Sequence, residues 1–155
     1  MGDTIRRAVT SDLHSVRELT NAAYAKWVPA IGRKPKPMTS DHANAILEHS
    51  VDLFLRDGEA IGLVEMIERP DHLLIESLAI DTAWQSKGIG SILLAHAESL
   101  AASSACTEVR LYTNAAFVSN VQFYQKRGYC VTERELLPDG GVMVHMAKSL
   151  TAIPY

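Results

Sequence analysis

The chain has 155 residues, 47% of them hydrophobic, and a formal net charge of -3. That length suits one domain with a sizeable core, and the acidic balance leaves no basic footprint for nucleic acid. No apolar run reaches the roughly 18 residues of a membrane span, and Met1–Arg7 lacks the apolar stretch of a secretory signal, so a cytoplasmic protein is expected.

In chain order, Ile5 to Val9 predicts a short first strand. Thr10, Ser11 and Asp12 offer N-cap oxygens, and Leu13, Val16, Leu19 and Ala23 trace one helical face. This helix should fade near Trp27, because Pro29 disfavours helical geometry in the residue before it. Trp27 to Met38, with three prolines, one glycine and three cations, predicts a loop longer than most connections. Thr39 or Ser40 is expected to cap a second helix bearing Ala43, Ile46 and Leu47. Val51 to Arg56 and Glu59 to Ile67 read as strands joined by Asp57-Gly58, a hairpin signal. Cys106 and Cys130, among apolar neighbours at expected strand starts, read as small core residues in a reducing compartment.

Leu73 to Ile80 is an apolar run interrupted by one carboxylate, Glu76, and predicts a largely buried strand. It leads into Gln85-Ser86-Lys87-Gly88-Ile89-Gly90, then Ser91 and a helix to about Ser103 packed through Leu93, Leu94 and Ala97. A strand, a short loop and a helix opening on two glycines make an anion site. Backbone approaches closely there, and the first-turn N–H groups and helix dipole favour phosphate. Lys87 adds a charge. The spacing is not that of a P-loop, and the third glycine of a dinucleotide fingerprint is Leu93 here. Glu108 to Thr113 predicts a further strand. A short helix follows from Asn120 to Lys126 and stops at Gly128. Tyr129 to Leu136 and Val142 to Lys148 form a last hairpin. Hairpins early and late, with one βαβ unit between them, predict an α/β fold with a mixed sheet covered by helices.

The Gln85–Gly90 segment resembles the pyrophosphate loop of the GNAT superfamily, the acyl-CoA-dependent N-acetyltransferases. Phe123-Tyr124-Gln125-Lys126-Arg127-Gly128-Tyr129 resembles that family's Tyr-x-Lys-x-Gly-aromatic segment, on the helix after the strand that follows the loop. The order of elements resembles the family's over essentially the whole chain. It implies a single domain with a mixed, mostly antiparallel twisted sheet flanked by helices. The common pattern has Asn seven residues before the tyrosine, where this chain has Phe117. Asn120, one turn before Tyr124 on the same helix face, and Asn114, at the end of the preceding strand, are the alternatives.

The resemblance implies acetyl-CoA as co-substrate, no metal, and a primary amine on a small molecule or peptide as acceptor. Backbone from Gln85, Ser86, Lys87, Gly88, Ile89, Gly90 and Ser91 would hold the pyrophosphate. Backbone N–H groups of Leu78, Ala79 and Ile80 would meet the cofactor's acetyl arm. An alkyl ammonium of pKa about 10.4 must lose a proton before it attacks. Glu76 is the candidate base; the alternative is that it pairs with a neighbouring arginine or backbone donor and only supports the fold. Tyr124 is the candidate acid for the leaving thiolate, and otherwise a core tyrosine. Trp27, Arg33, Lys34 and Lys36 in the proline-rich segment, together with His72, are acceptor-site candidates. Trp27 would suit an apolar or cationic acceptor and the cations an anionic one. Trp84 is expected to anchor the cofactor loop by packing. The six histidines show no zinc-like spacing, and no nucleophile motif supports a covalent intermediate. Direct transfer in a ternary complex is therefore the expected route. A non-catalytic acyl-CoA-binding or sensing domain is the rival. The resemblance also allows a homodimer through the late strands.

Overall fold

A computed structural model describes residues 2–150. Seven strands form one sheet: β1 (Asp3–Arg7), β2 (Ser50–Arg56), β3 (Glu59–Glu68), β4 (His72–Ile80), β5 (Glu108–Asn114), β6 (Cys130–Leu136) and β7 (Val142–Ser149). Their spatial order is β1-β2-β3-β4-β5-β7-β6. Every neighbouring pair is antiparallel except β4–β5. This is the mixed, mostly antiparallel α/β sheet that the hairpins and the single βαβ unit predict.

Helices cover both faces, so the central strands are apolar on both sides. On one face α5 (Ile89–Ser103) packs Ile89, Leu93, Leu94 and Ala97 onto Ile61, Val64, Leu73 and Ile75. On the other, α1 (Leu13–Tyr24) and α4 (His42–Glu48) pack Val16, Leu19, Ala45 and Ile46 onto Val51, Leu53, Leu63 and Ala79. Adjacent residues Leu63 and Val64 thus serve opposite cores, as a pleated strand requires.

One irregularity shapes the centre. The parallel β4–β5 ladder covers His72–Ile75 against Glu108–Leu111. Beyond it β4 continues to Ile80 along β3, while β5 continues along β7. The sheet therefore forks. At the fork β4 carries a bulge: Ile75 lies opposite Met66 and Ser77 opposite Glu65, leaving Glu76 as the extra residue. Such a bulge bends the strand and re-aims its side chain.

Several local expectations change. Trp27 to Met38 is not an irregular loop. A 3-10 turn (Ala25–Trp27) continues α1, followed by α2 (Val28–Ile31) and α3 (Lys36–Thr39). Pro29 and Pro37 fall in the first turns of these short helices, where no amide hydrogen is needed. Gly32 (φ 70°) ends α2 in the left-handed region. The cap of α4 is Asp41, whose carboxylate accepts from Asn44 N at 3.0 Å. Thr39 and Ser40 instead bond back to Lys36 O, at 3.1 and 2.9 Å. The helix bearing Tyr124, α6 (Val118–Gln125), starts before Asn120. Cys106 is buried, but Cys130 is exposed on the edge strand β6 and is not a core residue; both are free thiols. Among the described residues no helix is long and apolar enough to cross a membrane.

Gly62 in β3 lets α5 seat closely. A Cβ there would lie 3.1–3.3 Å from Ile80, Leu93 and Ile89 side chains. Gly62→Ala is therefore expected to destabilise the protein by about 1–3 kcal/mol through overpacking, read as a lower urea midpoint at unchanged slope.

Candidate functional site

The loop between β4 and α5 is braced at both ends. Asp81 Oδ1 accepts from Ala83 N at 2.9 Å, closing a turn over Thr82–Trp84. Gln85 donates through Nε2 to Ile80 O at 3.0 Å and accepts from Lys26 Nζ at 3.0 Å. Trp84 anchors the loop by packing on the α5-side core, with the Arg56 guanidinium 5.0 Å from its ring. Ser86 (φ 63°) and Gly88 (φ 88°) are both left-handed. Successive amides in such turns, together with the first-turn N–H groups of α5, form a concavity of the kind that suits an anion.

The two glycines differ. A Cβ on Gly88 would meet nothing within 4 Å, so the space above it is open. A Cβ on Gly90 would come within 3.2 Å of Phe123 Cζ, so this glycine makes room for an aromatic ring. Lys87 is exposed, and the Ile89 side chain is buried in the core, leaving only its backbone at the loop.

A groove of about 380 Å³ runs from this loop along the open edge of β4 to α6. Trp27, Trp84, Gln85, Ser86, Gly88, Gly90 and Ser91 line it, with Ile80 and Arg127. Arg127 escaped the sequence reading. Its Nε and Nη2 donate to Ser91 Oγ at 2.9 and 2.6 Å, and its guanidinium lies 3.8 Å from the centroid of the Phe123 ring. The available signal was its place four residues after Phe123, in the turn that ends α6.

On the far side of the fork lies a second cavity of about 260 Å³. Tyr24, Leu78, Asn120 and Tyr124 line both spaces. Tyr124 is 8% exposed and packs edge-on to Phe123 and Tyr129. Its hydroxyl makes no hydrogen bond among the described residues. Burial pushes its pKa up, with Tyr24 nearby adding to the effect, so it is a phenol at neutral pH. Tyr24 Oη donates to Leu78 O at 3.2 Å, and Leu78 N points back to it at a long 3.4 Å. Burial raises the Tyr24 pKa as well. Ala79 is fully buried under α1, and its side chain takes no part in either space.

Glu76 reaches into the second cavity from the bulge. It accepts from Lys36 Nζ at 3.1 Å and from Tyr112 Oη in a short contact, while Lys36 also donates to Tyr112 Oη at 2.7 Å. Burial works to lower the Lys36 pKa, but hydrogen bonds to Tyr112 and Glu76 outweigh it and leave it raised. Burial, reinforced by Glu76, pushes the Tyr112 pKa up to about 12. Glu65, 8% exposed, lines the same cavity and pairs with His49 at 2.7 Å.

The other predicted residues divide. Asn120 bridges the two spaces, whereas Asn114 Oδ1 closes its own turn onto Ala116 N at 2.9 Å. Trp27 stacks on Phe117 (4.5 Å, 21°) and lines the groove rather than the second cavity. Arg33 lines the second cavity, paired with Asp139 at 3.0 Å. Lys34 is exposed and lines neither. His72 sits at the opposite end of β4, paired with Asp71 at 2.7 Å, and reaches neither. The place at the start of the central strand that makes His72 a candidate carries no information about which end of β4 the cavity occupies. Glu133, Glu135 and His145 meet across the β6–β7 hairpin with candidate ligand atoms within 4.8 Å of one another, a grouping that linear spacing hides.

The sequence matches the model of the acetyltransferase (GNAT) family over residues 13–129. The chain belongs to the GNAT acetyltransferase family. An uncharacterised N-acetyltransferase of Chlorobaculum tepidum is 32% identical over 137 residues, covering 86% of this chain and 79% of that protein. Two uncharacterised Bacillus subtilis proteins match over 73 residues each, at 37% and 33% identity. Those matches cover 46% and 47% of this chain but only 44% and 45% of the relatives' length. The PaiA N-acetyltransferase of Thermoplasma acidophilum, solved in complex with coenzyme A, superposes with a TM-score of 0.78 at 20% identity, covering 96% of this chain and 99% of that one. The ribosomal-protein-S18-alanine N-acetyltransferase of Escherichia coli gives 0.75 at 15%, covering 98% and 96%. At such identities the structures establish the shared GNAT fold. Acyl transfer is the general reaction of that family.

The Tyr112 cluster has a measurable signature. A phenol with a raised pKa lends stability that is complete below the ordinary tyrosine value of about 10 and lost as pH rises through about 12. Glu76→Gln removes a cause that raises this pKa, so the Tyr112 phenolate absorbance should move to lower pH. Tyr112→Phe should delete that step.

Proposed function

We propose that the protein is an acetyl-CoA-dependent N-acetyltransferase that moves the acetyl group to a primary amine by direct transfer in a ternary complex. The observation that carries this reading is the position of Tyr124. Its hydroxyl, on a side chain that is largely buried and without a hydrogen-bond partner among the described residues, lies where the phosphate-loop groove meets the second cavity.

The groove suits the cofactor on its own features. The left-handed Ser86 and Gly88, the open space over Gly88 and the amides at the head of α5 suit a pyrophosphate. Arg127 adds a cation beside Ser91. Bound there, acetyl-CoA supplies an acetyl thioester and a thiolate leaving group. Leu78 N–H, in a long contact to Tyr24 Oη, is the donor assigned to the negative charge that develops on the acetyl oxygen. Glu76 takes the proton of the acceptor ammonium, directly or through water. Tyr124 donates to the departing sulfur. A proton held on a buried phenol is well matched to a thiolate whose acid has a pKa of about 8.5.

Tyr124→Phe removes one oxygen that bonds to nothing else, so thermal stability should change little. Turnover should fall by roughly 10² to 10⁴-fold with coenzyme A affinity nearly unchanged. A stable variant with normal turnover would exclude Tyr124 as the acid. Gly88→Val forces a β-branched residue into the left-handed region, at about 1–2 kcal/mol, and projects into the open space. Calorimetry should then show loss of coenzyme A binding. Tight coenzyme A binding by the wild type, with no amine acetylated in a broad screen, would return the non-catalytic reading.

A further inference from the structure

The second cavity already holds a cation, and it is the protein's own. Lys36 Nζ lies 3.1 Å from Glu76 Oε1, 2.7 Å from Tyr112 Oη and 5.0 Å from the centroid of the Tyr112 ring. A carboxylate, a phenol oxygen and an aromatic face together form a three-sided seat for an ammonium group. The sides of the seat are held more firmly than its occupant. Glu76 is fixed at the bulge of β4 and its side chain is 17% exposed; Tyr112 sits within β5. Lys36 opens a four-residue helix, and its side chain is 62% exposed. An ion pair open to solvent on one side is weakly held, so Lys36 can swing out while the seat remains.

The charges around the seat decide between acceptor classes. Glu65 adds a second carboxylate to the cavity wall, paired with His49. Arg33, the other cation lining the cavity, is paired with Asp139. Each of these two cations already faces a carboxylate, and only the Lys36 pair has its carboxylate and a phenol fixed on the sheet, so the preset seat is one for a cation. The remaining wall is uncharged and mainly apolar, with Ile31, Pro35, Leu111, Phe117 and Met143 among its side chains, while Ser40, Ser77, Thr113, Asn114 and Asn120 add neutral polar groups.

We infer that the Glu76–Tyr112 corner seats the acceptor's ammonium group, and that Lys36 occupies this seat until an acceptor displaces it. The acceptor is a cationic amine on an apolar body, without an acidic group. The inference rests on the reading of this cavity as the acceptor side of an N-acetyltransferase.

Calorimetry with coenzyme A present tests it without requiring turnover. The probes are benzylamine and butylamine, the matching alcohols, and amines bearing a carboxylate. Lys36→Met keeps the length and apolar stem of the side chain and removes the competing ammonium. It should bind the plain amines roughly tenfold more tightly, because the competent state no longer has to be vacated. Alcohol binding and coenzyme A affinity should not move. Lys36→Gln, uncharged but still polar, should shift in the same direction. Adding Glu76→Gln to Lys36→Met should abolish the gain. Unchanged or weaker amine binding by Lys36→Met overturns the inference, as does no measurable amine binding by either protein. A preference of the wild type for carboxylated amines that Lys36→Met loses also overturns it, and makes Lys36 an anion receptor. Acetylation of an amine by the wild type, combined with any of these results, leaves the N-acetyltransferase reading standing and removes only the seat.

Discussion

The parting of β4 from β5 after Ile75 and Leu111 is the constraint on which the rest of this molecule depends. A strand inside a sheet is normally paired on both sides, and buried backbone groups without partners are unfavourable. From Ser77 to Ile80, β4 keeps its pairing to β3 but has lost β5. Tyr24 reaches across to bond the backbone of Leu78 and so satisfies part of the exposed edge. An open strand edge held inside a protein is a template for an extended ligand. The groove and the second cavity are the two sides of this one fork. They share Leu78 because Leu78 stands on its open edge.

The flanking packing serves to keep the fork open at a fixed width. The α5 helix is pressed onto β3 and β4 through Ile89 and Leu93, with Gly62 allowing the approach. That contact fixes where the helix begins, and therefore where the left-handed Ser86 and Gly88 present their amides. On the other side, Phe117 is buried against Trp27, and α6 hangs from this contact with Asn120 and Tyr124 turned toward the fork. The loop before α5 and the phenol are thus mounted on separate rigid elements, and the sheet sets the distance between them.

Electrostatics divides the site into donors and carboxylates. Burial raises the pKa values of Tyr24, Tyr112 and Tyr124 alike, so all three keep their protons at neutral pH; Tyr24 and Tyr112 already donate hydrogen bonds, and Tyr124 has a proton to donate. The carboxylates of Glu65 and Glu76 face the same cavity, each with a cation or histidine opposite. Burying a carboxylate without such a partner is unfavourable. The pairs therefore serve the fold. For Glu76, supporting the fold and serving as a base are compatible: its present partner is a lysine whose own amine has the chemistry of an acceptor.

Sequence alone determined what depends on local geometry. Alternating and helical periodicities located the strands and the larger helices, and Asp57-Gly58 marked its hairpin. Gln85 to Gly90 announced a short loop opening a helix on glycine, because left-handed residues and first-turn amides are properties of consecutive residues. Asn120 and Tyr124 were placed on one helix face by their spacing alone. Tertiary structure decided everything that needs distant neighbours. Lys36 meets Glu76 across 40 residues and Tyr112 across 76, and no periodicity links them. The same holds for Arg127 on Ser91, for Trp27 at the groove, and for His72 at the wrong end of its strand. The proline-rich segment read as a loop because proline is scored as a helix breaker, whereas short helices begin where proline is tolerated. Local sequence sets dihedral angles and faces; the forked sheet determines which faces meet.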